Sequence, residues 1–455
     1  MRSPLVPGLL SAVLALAALP ALPAAAATPA SYAGTLNGAA YAVRVPSSWN
    51  GRLVLYSHGY RQQVGGATTA QDAPTPAVAD ALLAEGYAVA GSSYGRNGWA
   101  VADGVKADVA LLGWFRSHVG TPKRVYAWGD SLGGLVTQTL AERYPSLVHG
   151  VAPMCGVLAG TNRNFDLALD FQVAVKRLLY PSLKLTGYTS YNEAKAAFDG
   201  AFAAVAKAAS IDPMTLQPNA PTNPGGIARL VAIASLVDAP YKTRTADGSS
   251  LASTVKGVVE SVATGLFYAT VDRYEIEQRV GGNPSTNVHV DYTHRINQSD
   301  LNRFASFGFS TDLLRSLAGS VERFGARVTA NPTVRHRAAG LGNPTGVLAD
   351  KTITLHTKYD PLVLVQNETV FRDRVAAKGD TANLVQLYTS PPSTYATAPY
   401  GAGHCTFTTT EYLGVLRALH TWVSTGVRPT RSGVKAASGA PGFNTTYTPP
   451  SWPAS

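Results

Sequence analysis

Arg124-Val-Tyr-Ala-Trp-Gly-Asp-Ser-Leu-Gly-Gly-Leu-Val-Thr-Gln-Thr-Leu-Ala-Glu-Arg-Tyr-Pro145 is the stretch on which the reading of this chain turns. A short apolar run enters a Gly129-Asp-Ser131-Leu-Gly133-Gly134 turn, and a helical pattern leaves it and stops at Pro145. A buried strand, a glycine-flanked serine and an immediate helix start expose the serine on a sharp corner. The free N–H groups and the dipole of the new helix then favour negative charge beside it. The pattern Gly-x-Ser-x-Gly recurs at Gly91-Ser-Ser93-Tyr-Gly95, but "RNGWAVADG" follows it, with a further glycine and no helical periodicity. Ser131 is therefore the candidate nucleophile. The second segment contributes Tyr94, Arg96, Asn97 and Trp99 as candidate walls of a substrate pocket.

Outward from this corner the elements alternate. "RLVLYSHG", "YAVAGSS", "RVYAWGD" and "VHGVAPMCG" are short apolar runs that suit strands buried on both faces, and "TPAVADALLAEG", "VKADVALLGWFRSHVG" and "LGGLVTQTLAERYP" are helical. Such alternation predicts an α/β fold, a mostly parallel sheet with helices on both faces. From about Thr161 to Val347 the pattern is helical throughout, far beyond the roughly 2–6 residues of an ordinary connection. Alternation resumes with "KTITLHT", "LVLVQNETVFRDRVAAKG", "NLVQLYT" and "TTTEYLGVLRALHTWVSTG". The expected organisation is a first core part over 28–160, a helical cap over 161–347, a second core part over 348–427 and a flexible Pro/Gly/Ser-rich tail over 428–455.

Composition narrows the class. Of 455 residues, 45% are hydrophobic and 15% charged, so a large core is available. Residues 1–27 carry Arg2, an apolar stretch broken by Pro20 and Pro23, and small residues before Ala27, which predicts a secretory signal peptide cut near Ala27 and an exported protein. No later stretch is long and apolar enough to span a bilayer. The net charge of +10 is spread along the chain with no basic block, which argues against nucleic acid as a partner. Cys155 and Cys405 are too few for linked metal-binding cysteine pairs, and no His-Glu-x-x-His occurs. No metal or organic cofactor is implied, and a monomer is expected.

A serine nucleophile needs a base, and the base needs a carboxylate that fixes its tautomer. Asp360, in "KYDPLV", follows the strand "KTITLHT", and His404, in "YGAGHCTF", precedes the last helix. The order Ser131, Asp360, His404 and the positions past strand ends fit a triad. "LYSHGY" ends a strand in His58-Gly59, so the N–H groups of Tyr60 and Leu132 are candidate oxyanion donors, each worth about 2.7–4 kcal/mol in the transition state. His356 reads as a packing neighbour. Glu368 and Asp373 read as solvated helix residues, as do Glu260, Glu275 and Glu277.

"SHGY", "GDSLGG", "YDPLV" and "GAGHC" together resemble the α/β-hydrolase fold superfamily over roughly residues 31–160 and 349–427. The resemblance implies Ser131 as nucleophile, Asp360 as acid, His404 as base, Tyr60 and Leu132 as oxyanion donors, and a cap between the sixth and seventh strands. His404-Cys405 is similar to the His-Cys half of the tannase and feruloyl-esterase arrangement, while Asp130 stands where that family has the cysteine before the serine. Cys155 follows the strand next to the nucleophile strand, which leads to the expectation of a Cys155–Cys405 disulfide that locates His404, worth about 4–5 kcal/mol in the loop-entropy account. The implied activity is hydrolysis of carboxylic esters, of a small molecule or a polymer end, through an acyl-enzyme. The alternative is a serine exopeptidase of the same fold, with Glu260, Glu275 or Glu277 holding an amine.

Overall fold

The structure is a computed structural model that describes residues 28–212, 214, 222–392 and 402–453. The expected signal peptide, residues 1–27, lies outside the described residues. Eight strands form one sheet: β1 (Ala30–Leu36), β2 (Ala39–Val45), β3 (Arg52–Ser57), β4 (Tyr87–Ser92), β5 (Arg124–Asp130), β6 (Gly150–Met154), β7 (Lys351–Thr357) and β8 (Leu384–Thr389). Their order is β1-β2-β4-β3-β5-β6-β7-β8. β2 is antiparallel to both of its neighbours, and every pairing from β4 to β8 is parallel. This is the α/β-hydrolase fold. The sequence did not signal β1: "ASYAGTL" is an edge strand with four exposed residues and little apolar periodicity.

The central strands are buried along almost their whole length, as their apolar runs require. One face of the sheet packs against the helices Val101–His118 and Leu132–Arg143, around Leu53, Leu55, Val125, Leu135 and Phe115. The other face packs against Pro76–Ala84 and Thr409–Thr425, around Val54, Trp128, Ile353, Leu416 and Trp422. Parallel strands joined by right-handed crossovers bring every carboxyl end to one edge, and the site forms along that edge.

The described chain between β6 and β7 is helical, with a core of its own around Phe171, Val173, Ile233, Val258 and Tyr292. The sequence from Leu251 to Val280 carries a helical pattern without a break, but the structure divides it into Leu251–Phe267 and Arg273–Val280. They are joined by a π-helical turn, Tyr268–Asp272, which inserts an extra residue into the ladder and re-aims the side chains after it. The insertion is fastened to the 93–100 loop. Trp99 N donates to Glu275 Oε2 (2.8 Å), and Arg279 donates to Asn97 O (2.8 Å) and to Asp103 Oδ2 (2.7 Å). Glu275 and Glu277 are buried, not solvated.

The tail corrects the expectation of a flexible segment. Residues 431–438 form a helix, and Val434, Ala440 and Phe443 are buried against the sheet. Asn444 N donates to Tyr388 O (2.7 Å) and Ser390 N to Gly442 O (2.9 Å), so the segment docks beside β8. Its Gly, Pro and Ser content hides three apolar anchors spaced too widely to register as a pattern.

Candidate active site

β5 runs straight into Ser131, whose φ of 59° and ψ of −121° place it at a strained corner ahead of the helix Leu132–Arg143. Ser131 N donates to Met154 O (2.9 Å), which ties the corner to the end of β6. Gly133 permits the turn: a β-carbon there would lie 1.9 Å from Ser57 O. Beside the serine runs the turn after β3, so close that a β-carbon on Gly59 would sit 3.3 Å from Ser131 Cβ. Among the described residues, neither Tyr60 N–H nor Leu132 N–H has an acceptor.

Asp360 lies three residues past β7 and is fully buried. Its Oδ1 accepts from Leu362 N and Val363 N, each at 2.9 Å, and its Oδ2 lies 2.7 Å from His404 Nδ1. Burial alone would raise this carboxyl, but the charge of His404 and hydrogen bonds from His356 and His404 hold it well below the usual carboxylate range. No hydrogen bond joins His404 to Ser131 among the described residues; His404 Nε2 lies 3.3 Å from Cys405 Sγ. Cys155 and Cys405 form a disulfide with their Cα atoms 5.5 Å apart, which ties the histidine loop to the end of β6. The ligand atoms of Cys155, His404 and Cys405 cluster within 4.8 Å, but the disulfide uses both sulfurs, so the group is not a metal centre.

Two acidic residues do more than expected. Behind Asp360, His356 is fully buried between two carboxylates, with Nε2 3.6 Å from Asp360 Oδ2 and Nδ1 3.5 Å from Glu368 Oε1. Its Nε2–H donates to Val363 O (2.8 Å). Burial opposes its charge, but the Asp360 and Glu368 carboxyls outweigh that and push it up to about 9. Glu368 is fully buried, not solvated, because the first turn of its helix faces the sheet; its Oε2 accepts from Thr354 and Gln386, both at 2.5 Å. In front, Asp130 takes the position next to the serine. Its Oδ2 accepts from Tyr412 (2.9 Å) and Tyr56 (3.3 Å), and burial pushes it up to about 7.

Of the four residues expected to line a pocket, only Trp99 borders the cavity beside Ser131, whose other walls include Tyr60, Leu132, Val157, Tyr268, Asp272 and Val363. A left-handed backbone at Tyr94 (φ 63°) turns that ring inward. It stacks on His58 with centroids 3.9 Å apart and donates to His58 O (2.8 Å). Arg96 is exposed, and Asn97 offers its carbonyl to Arg279 of the insertion rather than a side chain to the cavity. Ser93 is buried and accepts from Ala40 N (3.0 Å), so the second glycine-serine motif stitches β4 to β2.

Residues 33–248 match the model of a tannase-like family of unknown function (DUF6351). No curated protein matches the chain. Among solved structures, an esterase from Aspergillus oryzae is similar at 16% identity over 88% of this chain and 80% of its own, with a TM-score of 0.42. Tannin acyl hydrolase from Aspergillus niger is similar at 15% identity over 88% and 79%, with a TM-score of 0.39. Proline iminopeptidase from Mycobacterium smegmatis is similar at 12% identity over 88% and 100%, also at 0.39.

Proposed function

We propose that this protein is an exported serine hydrolase of carboxylic esters. Ser131 attacks the acyl carbon while His404 takes its proton, and the N–H groups of Tyr60 and Leu132 receive the oxyanion. His404 then returns the proton to the leaving alcohol, and a water activated by the same imidazole releases the acid from the acyl-enzyme. Asp360 holds the tautomer of His404 and stabilises the imidazolium. The helices between β6 and β7 act as a cap that excludes bulk water.

The observation that carries this reading is the pair of buried Asp360 and half-buried His404, 2.7 Å apart, at the same sheet edge as the strained corner bearing Ser131. The match to a tannase-like family supports an ester as the substrate. A disulfide and a leader-like amino terminus support export into an oxidising compartment. No described helix is long and apolar enough to cross a membrane.

The test is hydrolysis of p-nitrophenyl acyl esters against aminoacyl-nitroanilides by the wild type, Ser131→Ala and Ser93→Ala. Expected are ester turnover by the wild type and Ser93→Ala, and a loss of about 10³-fold or more in Ser131→Ala. Turnover of the nitroanilides alone would overturn the esterase reading. Loss with Ser93→Ala and not Ser131→Ala would overturn the nucleophile.

A further inference from the structure

The cavity beside Ser131 measures about 50 Å³ and is mostly apolar, walled by Trp99, Leu132, Val157, Leu362 and Val363. Two polar groups on the cap interrupt that wall. Asp272 is 7% exposed, and its Oδ1 is buried with no hydrogen-bond partner among the described residues. The Tyr268 hydroxyl, from the other end of the same π-helical turn, is likewise buried and unpartnered. Asn164, the third polar side chain that the insertion gives this wall, is committed to Gly160 O (2.9 Å) and Asn367 Oδ1 (3.0 Å).

Buried polar groups left without a partner in an apolar chamber are costly, so they point to a partner that arrives with the ligand. What partner they suit follows from their number and character. The Tyr60 phenol acts on the same carboxyl, and among the described residues no cation pairs with it. Burial pushes Asp272 up to about 8 and the charge of Glu275 adds to this, so the group is neutral at neutral pH. Glu275 itself is spent on Arg279 Nη2 (2.7 Å) and Trp99 N. An ammonium group would need three acceptors and an ionised partner. A hydroxyl needs one acceptor and one donor, which is the pair on offer.

The position of the chamber tells which half of the substrate enters it. The leaving alcohol must lie against His404, which protonates it. The chamber is bordered by Ser131, Leu132 and Tyr60 but not by His404. It therefore takes the acyl side. Its volume is room for roughly three to five water-sized atoms.

We propose that Asp272 and Tyr268 form an acyl subsite that selects compact acyl groups bearing a hydroxyl, with Tyr268 donating to that hydroxyl and Asp272 Oδ1 accepting from it. This deepens the esterase reading and rests on it. Selection follows because a deoxy acyl group leaves both buried groups unpaired.

The test compares kcat/KM for p-nitrophenyl 3-hydroxybutyrate and p-nitrophenyl butyrate within each of the wild type, Asp272→Leu and Tyr268→Phe. The ratio of the two rates within one preparation cancels any change in folded fraction. The expected result is a hydroxy-to-deoxy preference of about tenfold or more in the wild type, falling at least threefold in each variant. Tyr268→Phe keeps the ring and covers the case in which Asp272→Leu does not fold. A wild-type ratio near one, as expected where only water pairs with these groups, overturns the subsite. So does an unchanged ratio in Tyr268→Phe, or a preference for p-nitrophenyl 3-aminobutyrate. Absence of turnover on every ester sinks the esterase reading itself, and ester turnover without discrimination sinks the subsite alone.

Discussion

His356 makes the proposed acid an energetic as well as a catalytic matter. Its imidazole lies fully buried between Asp360 and Glu368 and holds its proton up to about pH 9, against 6.5 for an unperturbed histidine. Because the folded value is the higher one, the stabilisation is complete below pH 6.5 and is lost as the pH rises towards 9. A difference of this size corresponds to about 3 kcal/mol at about 1.4 kcal/mol per pH unit. Asp130 at about 7 and Asp272 at about 8 also lose stability through this window, so the contribution of His356 must be read as a difference. The reference is His356→Gln/Glu368→Gln, which keeps amide contacts to Thr354, Gln386 and Val363 but carries neither charge. Urea unfolding at pH 6.0 and pH 9.0 measures the free energy of each protein. Wild type should lose about 3 kcal/mol more than the double variant between the two. Equal losses would show that the buried imidazole is not charged and would refute the reasoning.

Two further outcomes follow from the geometry. The Cys155–Cys405 bridge spans 250 residues, so reduction or a Cys155→Ala/Cys405→Ala variant should cost about 5 kcal/mol in urea unfolding, and ester turnover should fall as His404 loses its anchor. Gly98→Ala meets a left-handed backbone (φ +84°) and places a β-carbon 2.3 Å from the Glu275 carboxyl, so thermal unfolding should show a loss of about 2 kcal/mol or more at the seam between the cap and the 93–100 loop.

Much of this was legible because it is local. An apolar run, a glycine-flanked serine and a helix start are contiguous signals, and they locate Ser131 at the end of β5. Asp360 and His404 are likewise marked by the strand that precedes each one. What escaped depends on contacts across long separations. Nothing in "LVQNETVF" tells that Glu368 faces the sheet, or that His356 at the end of β7 returns to meet it. Asp272 and Tyr268 sit in a stretch that reads as one unbroken amphipathic helix, and the π-helical turn that carries them to the cavity wall has no pattern of its own. Tyr94, Arg96 and Asn97 missed the cavity because left-handed residues at Tyr94, Gly95 and Gly98 redirect the loop.

The disulfide also has a topological effect. Cys155 lies just before the cap begins and Cys405 just beyond His404, so the bridge closes the whole insertion into a covalent ring. A peptide bond cut anywhere in the cap would leave two fragments, one carrying Ser131 and the other Asp360 and His404, still joined at a point beside the histidine. In a protease-rich surrounding, a nicked molecule of this protein remains one molecule.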